Sequence, residues 1–488
     1  MSRAKSVKTN LIYSLAYQVL LLILPLVTMP YLSRVLGADG YGEYSYSYSV
    51  AYYFVLIAML GVNNYGTRSV ARHQGLIESI SKEFWSIVWF QGLFSAAVLA
   101  VYIGYSVFMA DNLAVAAAWI PYVVSAGLDI NWLFFGLEEF KVTVTRNFVI
   151  KLASFILIFI LVKGENALLV YCLIMSLSFL VSVLALWPFL KGRVRFSKPT
   201  WEDVRIRIKP NLVLFVPVIA VSLYTVLGKV MLGQLSTYEQ TAFFDVVLRI
   251  EQVPLAFISA LGTVMLPRSA NLLSSGNSEK ARRYLGSSMW LAMSASFLFT
   301  FGIIGVSDFF APLFWGDGFL PCAFLLVIVS IEIPFMAWAN VLRTQYLIPA
   351  GKDRAYTLSV LSGAGVSVVL NFILIPRCGA LGAVCAIVAA EATVCLVQVC
   401  TAIRELPQKQ WAKESAPSFL IGIAMLILLE VVKIPLGETV PNLVLLICAG
   451  ALFFAVLLTA YCVKTDNAYF NQLVRGTIDK AFRSLKRG

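Results

Sequence analysis

Residues 10–72 read NLIYSLAYQVLLLILPLVTMPYLSRVLGADGYGEYSYSYSVAYYFVLIAMLGVNNYGTRSVAR. Leu11 to Ser33 carries no charge, and about 20 apolar residues are enough to cross a hydrocarbon core of roughly 30 Å as a helix. A short polar stretch, Arg34 to Glu43, follows, and then a second charge-free run, residues 44–67. The pair reads as two membrane helices joined by a tight turn. Basic residues precede the first run, but no A-x-A cleavage signal follows it, so the first helix is expected to be retained and not removed as a signal peptide.

The same pattern recurs along the chain. Charge-free runs of at least 18 residues also lie at 84–110, 166–190, 210–228, 284–307, 355–376 and 439–463. Six further apolar segments, 112–137, 147–162, 242–266, 321–347, 380–403 and 417–434, are interrupted by one or a few charges. The expectation is an all-α integral membrane protein of fourteen transmembrane helices, with both termini on one side. Composition agrees: of 488 residues 60% are apolar and 13% charged, with a mean hydropathy of +0.83. A soluble domain carries about 25% charged residues, so a water-soluble enzyme is excluded. The eight cysteines are scattered without CxxC spacing and His73 is the single histidine, which argues against a metal centre or disulfide scaffold. Cys322 and Cys378 are expected as free thiols.

Lysine and arginine orient the helices, because positively charged loops resist translocation. With the N-terminus inside, 30 of the 38 basic residues fall in cytoplasmic segments. Arg34, Lys163, Arg377 and Lys433 lie opposite, and Lys151, Lys229, Arg249 and Arg343 lie within helices. The net charge of +12 is therefore a topology signal, and nucleic-acid binding is not needed to explain it. The longest polar break, Lys191 to Pro210, reads as a cytoplasmic linker. Residues 1–190 form an N-lobe, 211–403 a C-lobe, 404–463 two added helices and 464–488 a basic amphipathic tail lying on the inner leaflet. A faint repeat pairs Leu36, Gly37 and Glu43 with Leu232, Gly233 and Glu239. A repeat of six helices keeps both halves in one orientation, which predicts two lobes in a V around a cavity.

Asn10–Arg72, Asn131–Lys141 (NWLFFGLEEFK) and Tyr346–Glu391 (beginning YLIPAGKDRAYTLSVLSG) resemble polysaccharide flippases of the Wzx/RfbX type. These belong to the multidrug/oligosaccharidyl-lipid/polysaccharide exporter superfamily. The resemblance implies fourteen helices, two lobes and alternating access. It also implies a non-enzymatic transporter in the bacterial inner membrane, moving an undecaprenyl-pyrophosphate-linked oligosaccharide to the outer leaflet. Membrane lipids, a polysaccharide polymerase and chain-length proteins are candidate partners. No cofactor and no ATP are called for, since no GxxxxGK phosphate loop is present.

A charge at the centre of a membrane helix costs about 2.5 kcal/mol or more, so such residues face a cavity or a partner. Lys229 and Arg249 are candidates to meet the pyrophosphate, although Asp245, four residues before Arg249, offers a neutralising pair instead. Arg34 and Arg68 are further candidate cations, with snorkelling and the positive-inside bias as their structural alternatives; Lys151 and Arg343, near cytoplasmic ends, are expected to snorkel. Asp129, Asp245, Glu251, Glu332 and Glu391 are candidates for ion coupling, or for structural hydrogen bonds between helices. Tyr41, Tyr44, Tyr48 and Tyr52 recur at helical spacing. Tyr48 and Tyr52, with Asn63 and Asn64, are candidate sugar-lining residues; an aromatic belt is the alternative for Tyr41 and Tyr44. Pro25, Pro30, Pro217, Pro254 and Pro334 are candidate bends. The rival readings are a drug or cation antiporter of the same fold, a lipid II flippase, and a membrane glycosyltransferase or polymerase. The last would carry a D-x-D motif or a large loop, and neither is present.

Overall fold

The computed structural model describes residues 2–471 apart from residue 165 and residues 275–277. Twelve of its helices are long and apolar enough to cross a membrane, and no strand occurs among the described residues. Two of the expected fourteen spans account for the difference. The first two join in one run, Leu24–Arg72, and the helix Tyr238–Ser274 stands outside the set of twelve. The basic tail expected over 464–488 lies, beyond Asn471, outside the described residues.

The chain divides into two compact units, Met1–Ala242 and Phe243–Gly488. The first contains α1 (Ser2–Met59), α2 (Val62–Arg72), α3 (Ile77–Phe108), α4 (Leu113–Ala118), α5 (Ile120–Leu128), α6 (Asn131–Gly136), α7 (Phe140–Leu161) and α8 (Ala167–Leu184). It also holds α9 (Trp201–Arg205), α10 (Ile208–Thr225), α11 (Leu227–Leu235) and the first turn of α12 (Tyr238–Ser274). The second contains the rest of α12, α13 (Ser278–Trp315), α14 (Cys322–Ser330), α15 (Glu332–Leu342), α16 (Asp353–Ala402), α17 (Gln408–Lys433) and α18 (Val440–Lys464).

Two of the long helices change direction at a glycine. α1 runs through Pro25 and Pro30, and its non-helical residue is Gly37, at φ 67° and ψ −179°. α16 breaks at Gly379, at φ 54° and ψ −130°. A left-handed φ costs glycine nothing and other residues about 1–2 kcal/mol. A proline in a membrane helix removes one hydrogen bond, which its neighbours can restore. Beyond Gly379 the arms of α16 pack closely: a Cβ on Gly382 would stand 2.5 Å from the Leu374 carbonyl oxygen.

Both units are packed internally by aromatic and aliphatic side chains. In the first, Phe84, Trp132, Leu133 and Phe134 are fully buried. In the second, Met425, Leu429, Leu446 and Phe454 seat α17 and α18 against Phe301 and Phe309 of α13. Lys433, one of the few basic residues expected on the outer side, donates to Asp308 at 2.9 Å and to Glu430 at 2.7 Å. An ion pair between α13 and α17 thus holds it. On the other side Lys352, Glu405 and Tyr346 form a second staple. The Lys352 hydrogen bond holds the Glu405 carboxyl below its ordinary range.

Candidate functional site

Three carboxyls meet inside the second unit. Glu251 on α12, Glu332 at the start of α15 and Glu391 on α16 are 3%, 1% and 6% exposed. Glycines let these helices approach. A Cβ on Gly262 of α12 would stand 2.6 Å from Asn340 Oδ1 of α15, and one on Gly363 of α16 would stand 2.5 Å from Val394 Cγ2 on its other arm. Glu251 and Glu332 share a hydrogen bond, and Glu391 lies within electrostatic reach of both. Arg343 acts on Glu391 from the C-terminal end of α15, where the chain forms one π-helical turn, Arg343–Leu347. Its guanidinium lies 6.0 Å from the Tyr356 ring centre.

An ionised carboxylate only accepts hydrogen bonds, so a carboxyl-to-carboxyl bond requires one proton between the two groups. Oε1 of Glu251 and Oε2 of Glu332 are buried without a hydrogen-bond partner. Leaving such a group unsatisfied costs about 1–3 kcal/mol. Among the described residues, no group of three His, Cys, Asp or Glu side chains has metal-holding geometry.

The other candidates are distributed differently. Asp245 is fully buried and Arg249 Nε donates to it at 2.8 Å, so the pair foreseen as one alternative is formed. Lys229 is half-buried on α11 in the first unit, while Arg249 belongs to the second. Arg34 is exposed and donates to the Pro30 carbonyl at 2.7 Å. Arg68, Asn63 and Asn64 are exposed on α2. Tyr41 and Tyr44 are 1% and 2% exposed and form part of the core of the first unit, not a belt at its surface. Tyr48 stacks on Tyr44, Tyr122 and Phe179. Tyr52, half-buried, tilts against Tyr48 and meets Tyr53 edge-on.

Asp129 lies in the break between α5 and α6. Its Oδ1 accepts from the Asn131 backbone and side chain at 2.8 and 2.6 Å. Asn131 Oδ1 in turn accepts from Arg146 at 3.0 Å. Arg146, 9% exposed in the second turn of α7, had been counted as a loop cation.

A second polar cluster joins α1, the turn between α3 and α4, α11 and the start of α12 at one end of the first unit. Tyr238 donates to Asp111 at 2.8 Å, Asn112 to Glu43 at 2.8 Å, and Gln234 to the Tyr46 hydroxyl. The approach is close because of glycine: a Cβ on Gly42 would stand 1.7 Å from the Tyr238 carbonyl oxygen, and one on Gly233 would run into the Tyr46 ring. The cavity that remains is about 20 Å³, room for roughly one water. Removing the bond to Asp111 by Tyr238→Phe deletes a hydrogen bond to a charged group, worth about 1.5–3 kcal/mol. The expected outcome is on the order of 10- to 100-fold faster labelling of Ser47→Cys by a membrane-impermeant maleimide added outside. An unchanged rate would mean that the bond does not hold this end closed.

These helices and their internal packing define an all-α fold in which twelve helices are long and apolar enough to cross a membrane. By its match to the polysaccharide biosynthesis protein model over residues 7–273, the chain belongs to that family. It is 21% identical over 398 residues to a protein of Escherichia coli (strain K12) named "Putative O-antigen transporter", covering 80% of this chain and 95% of that one. A Shigella dysenteriae protein of the same name is 22% identical, with 77% and 94% covered. Among solved structures, the lipid II flippase MurJ in its inward closed conformation matches with a TM-score of 0.74 at 13% identity, covering 94% of this chain and all of that one. An inward-facing multidrug resistance MATE family transporter of the MOP superfamily matches with a TM-score of 0.57 at 13% identity, covering 83% and 95%. The fold is thus that of the superfamily expected from the sequence.

Proposed function

We propose that this protein flips an undecaprenyl-pyrophosphate-linked oligosaccharide from the inner to the outer leaflet by alternating access, driven by proton movement through Glu251, Glu332 and Glu391. The observation that carries the coupling is the hydrogen bond between two carboxyls in the membrane interior, with an unsatisfied oxygen on each. Such a pair distinguishes two protonation states by its bonding, and an ion drives transport only if the two conformations bind it differently. Family membership and the names of the two curated relatives support the cargo class. Lys229 and Arg249 are proposed to contact the pyrophosphate, with Arg34 and Arg68 as auxiliary cations. Tyr48, Tyr52, Asn63 and Asn64 remain the sugar-facing candidates.

A deletion strain tests this reading. Lipid-linked glycan should accumulate in the cytoplasmic leaflet, and the wild-type gene should restore its surface display. Complementation by Lys229→Ala and Arg249→Ala together at wild-type level would remove both residues from the cargo site. No accumulation on deletion would remove the cargo assignment and favour an antiporter of small cations.

A further inference from the structure

We infer that residues 191–209 form an interfacial strap that selects anionic phospholipid headgroups of the inner leaflet. This reading does not depend on the cargo assignment.

The strap is fixed on its inner side. Arg193 grips Glu139 with its Nε at 2.8 Å and Nη2 at 2.7 Å. The Arg195 backbone donates to Ser81 Oγ at 2.9 Å and its carbonyl accepts from Trp85 Nε1 at 3.0 Å. Arg207, 4% exposed, pairs with Glu83 at 3.0 Å, and Lys82 reaches Asp203 at 3.2 Å. Thr200 and Asp203 close a capping box that starts α9, and Val204 is buried in the core of the unit. A loop that merely connected two bundles would not need this many attachments.

Its outer side is amphipathic in a way that suits neither water nor hydrocarbon. Phe196, Trp201 and Ile206 are 73%, 68% and 56% exposed. Around them lie exposed Lys191, Arg195, Lys198, Arg205 and Lys209, against one exposed acid, Glu202; the other acid, Asp203, is neutralised by Lys82. The surface adjoins the run Trp201–Thr225, long and apolar enough to span, at the end where the chain's cations gather, which is the cytoplasmic one. Aromatic rings prefer the headgroup level. Each Lys or Arg beside an anionic leaflet favours it by about fivefold. Rings and cations held together by the buried Arg207 and Val204 make one rigid contact surface, and its charge selects anionic over zwitterionic lipid.

The test uses the purified full chain in phosphatidylethanolamine vesicles containing either brominated phosphatidylglycerol or brominated phosphatidylcholine. Trp201 emission is taken as the difference between wild type and Trp201→Phe. The expected result is stronger quenching by the brominated phosphatidylglycerol, and loss of that preference in Lys198→Gln/Arg205→Gln/Lys209→Gln. A single Lys198→Gln should lower the selectivity about fivefold. These three residues are exposed and make none of the strap's internal bonds, so the variants report on lipid contact and not on folding. Equal quenching by the two lipids overturns the proposal, as does a triple variant that keeps the preference. Absence of quenching, with Trp201 open to aqueous iodide, also overturns it and assigns the surface to a soluble acidic partner.

Discussion

Replacing Glu332 with glutamine is expected to leave a folded protein whose glycan export is slowed about 5- to 150-fold. The amide keeps the side chain's shape and can still donate to Glu251, so the packing of α12 against α15 survives. What it loses is the ability to exchange a proton. Coupling free energies between linked sites are typically 1–3 kcal/mol, about 5- to 150-fold, and the rate of surface glycan display in the complemented deletion strain should fall within that range. Glu332→Asp, which still titrates, should recover part of it. Glu332→Ala would mislead, because it leaves the Glu251 carboxyl buried without its partner. If Glu332→Gln exports glycan at the wild-type rate, the hydrogen bond to Glu251 is a structural contact between helices and nothing more.

The second large effect is steric. At Gly42 even alanine should be rejected, since the added carbon would meet the Tyr238 backbone at 1.7 Å, and a backbone cannot swing aside as a side chain can. Overpacking usually costs about 1–3 kcal/mol and more where the neighbour is rigid. The expected outcome for Gly42→Ala is a clear loss of monodisperse protein and of melting temperature in detergent. Gly40→Ala, two residues away, meets only Leu36 Cβ at 3.5 Å and should behave as wild type. Equal behaviour of the two variants would show that α1 does not pack on the start of α12 as closely as described.

How much of this was legible in the sequence depended on whether the signal was local. The bilayer forces every spanning segment to be a continuous apolar run, so the helices could be read residue by residue and the superfamily fold followed. Gly37, already noted in the faint repeat, is the turn between the first two helices. Gly233, its counterpart, stays helical within α11 and faces Tyr46 instead.

Side-chain partnerships were less legible, because they join residues far apart in the chain. The insertion cost flags Glu251, Glu332 and Glu391 individually, but nothing local says that Glu251 and Glu332 bond each other. The spacing of Tyr41, Tyr44, Tyr48 and Tyr52 shows that they share a helix face. What covers that face, Trp119, Tyr122, Tyr171 and Phe179, comes from α5, the turn before it and α8. Arg146 was missed because counting cations by loop places a residue by its neighbours in sequence. The cluster of Glu43, Asp111, Asn112 and Tyr238 left no local trace, since each residue alone looks like an ordinary polar loop or helix end.

The most direct measurement is export of a fluorescent lipid-linked oligosaccharide in liposomes under an imposed pH gradient, comparing wild type with Glu251→Gln/Glu332→Gln. The gradient should accelerate wild-type export and leave the double variant at its gradient-free rate. A wild-type protein indifferent to the gradient, or a double variant that responds to it fully, would contradict the claim that these buried carboxyls couple proton movement to glycan transport.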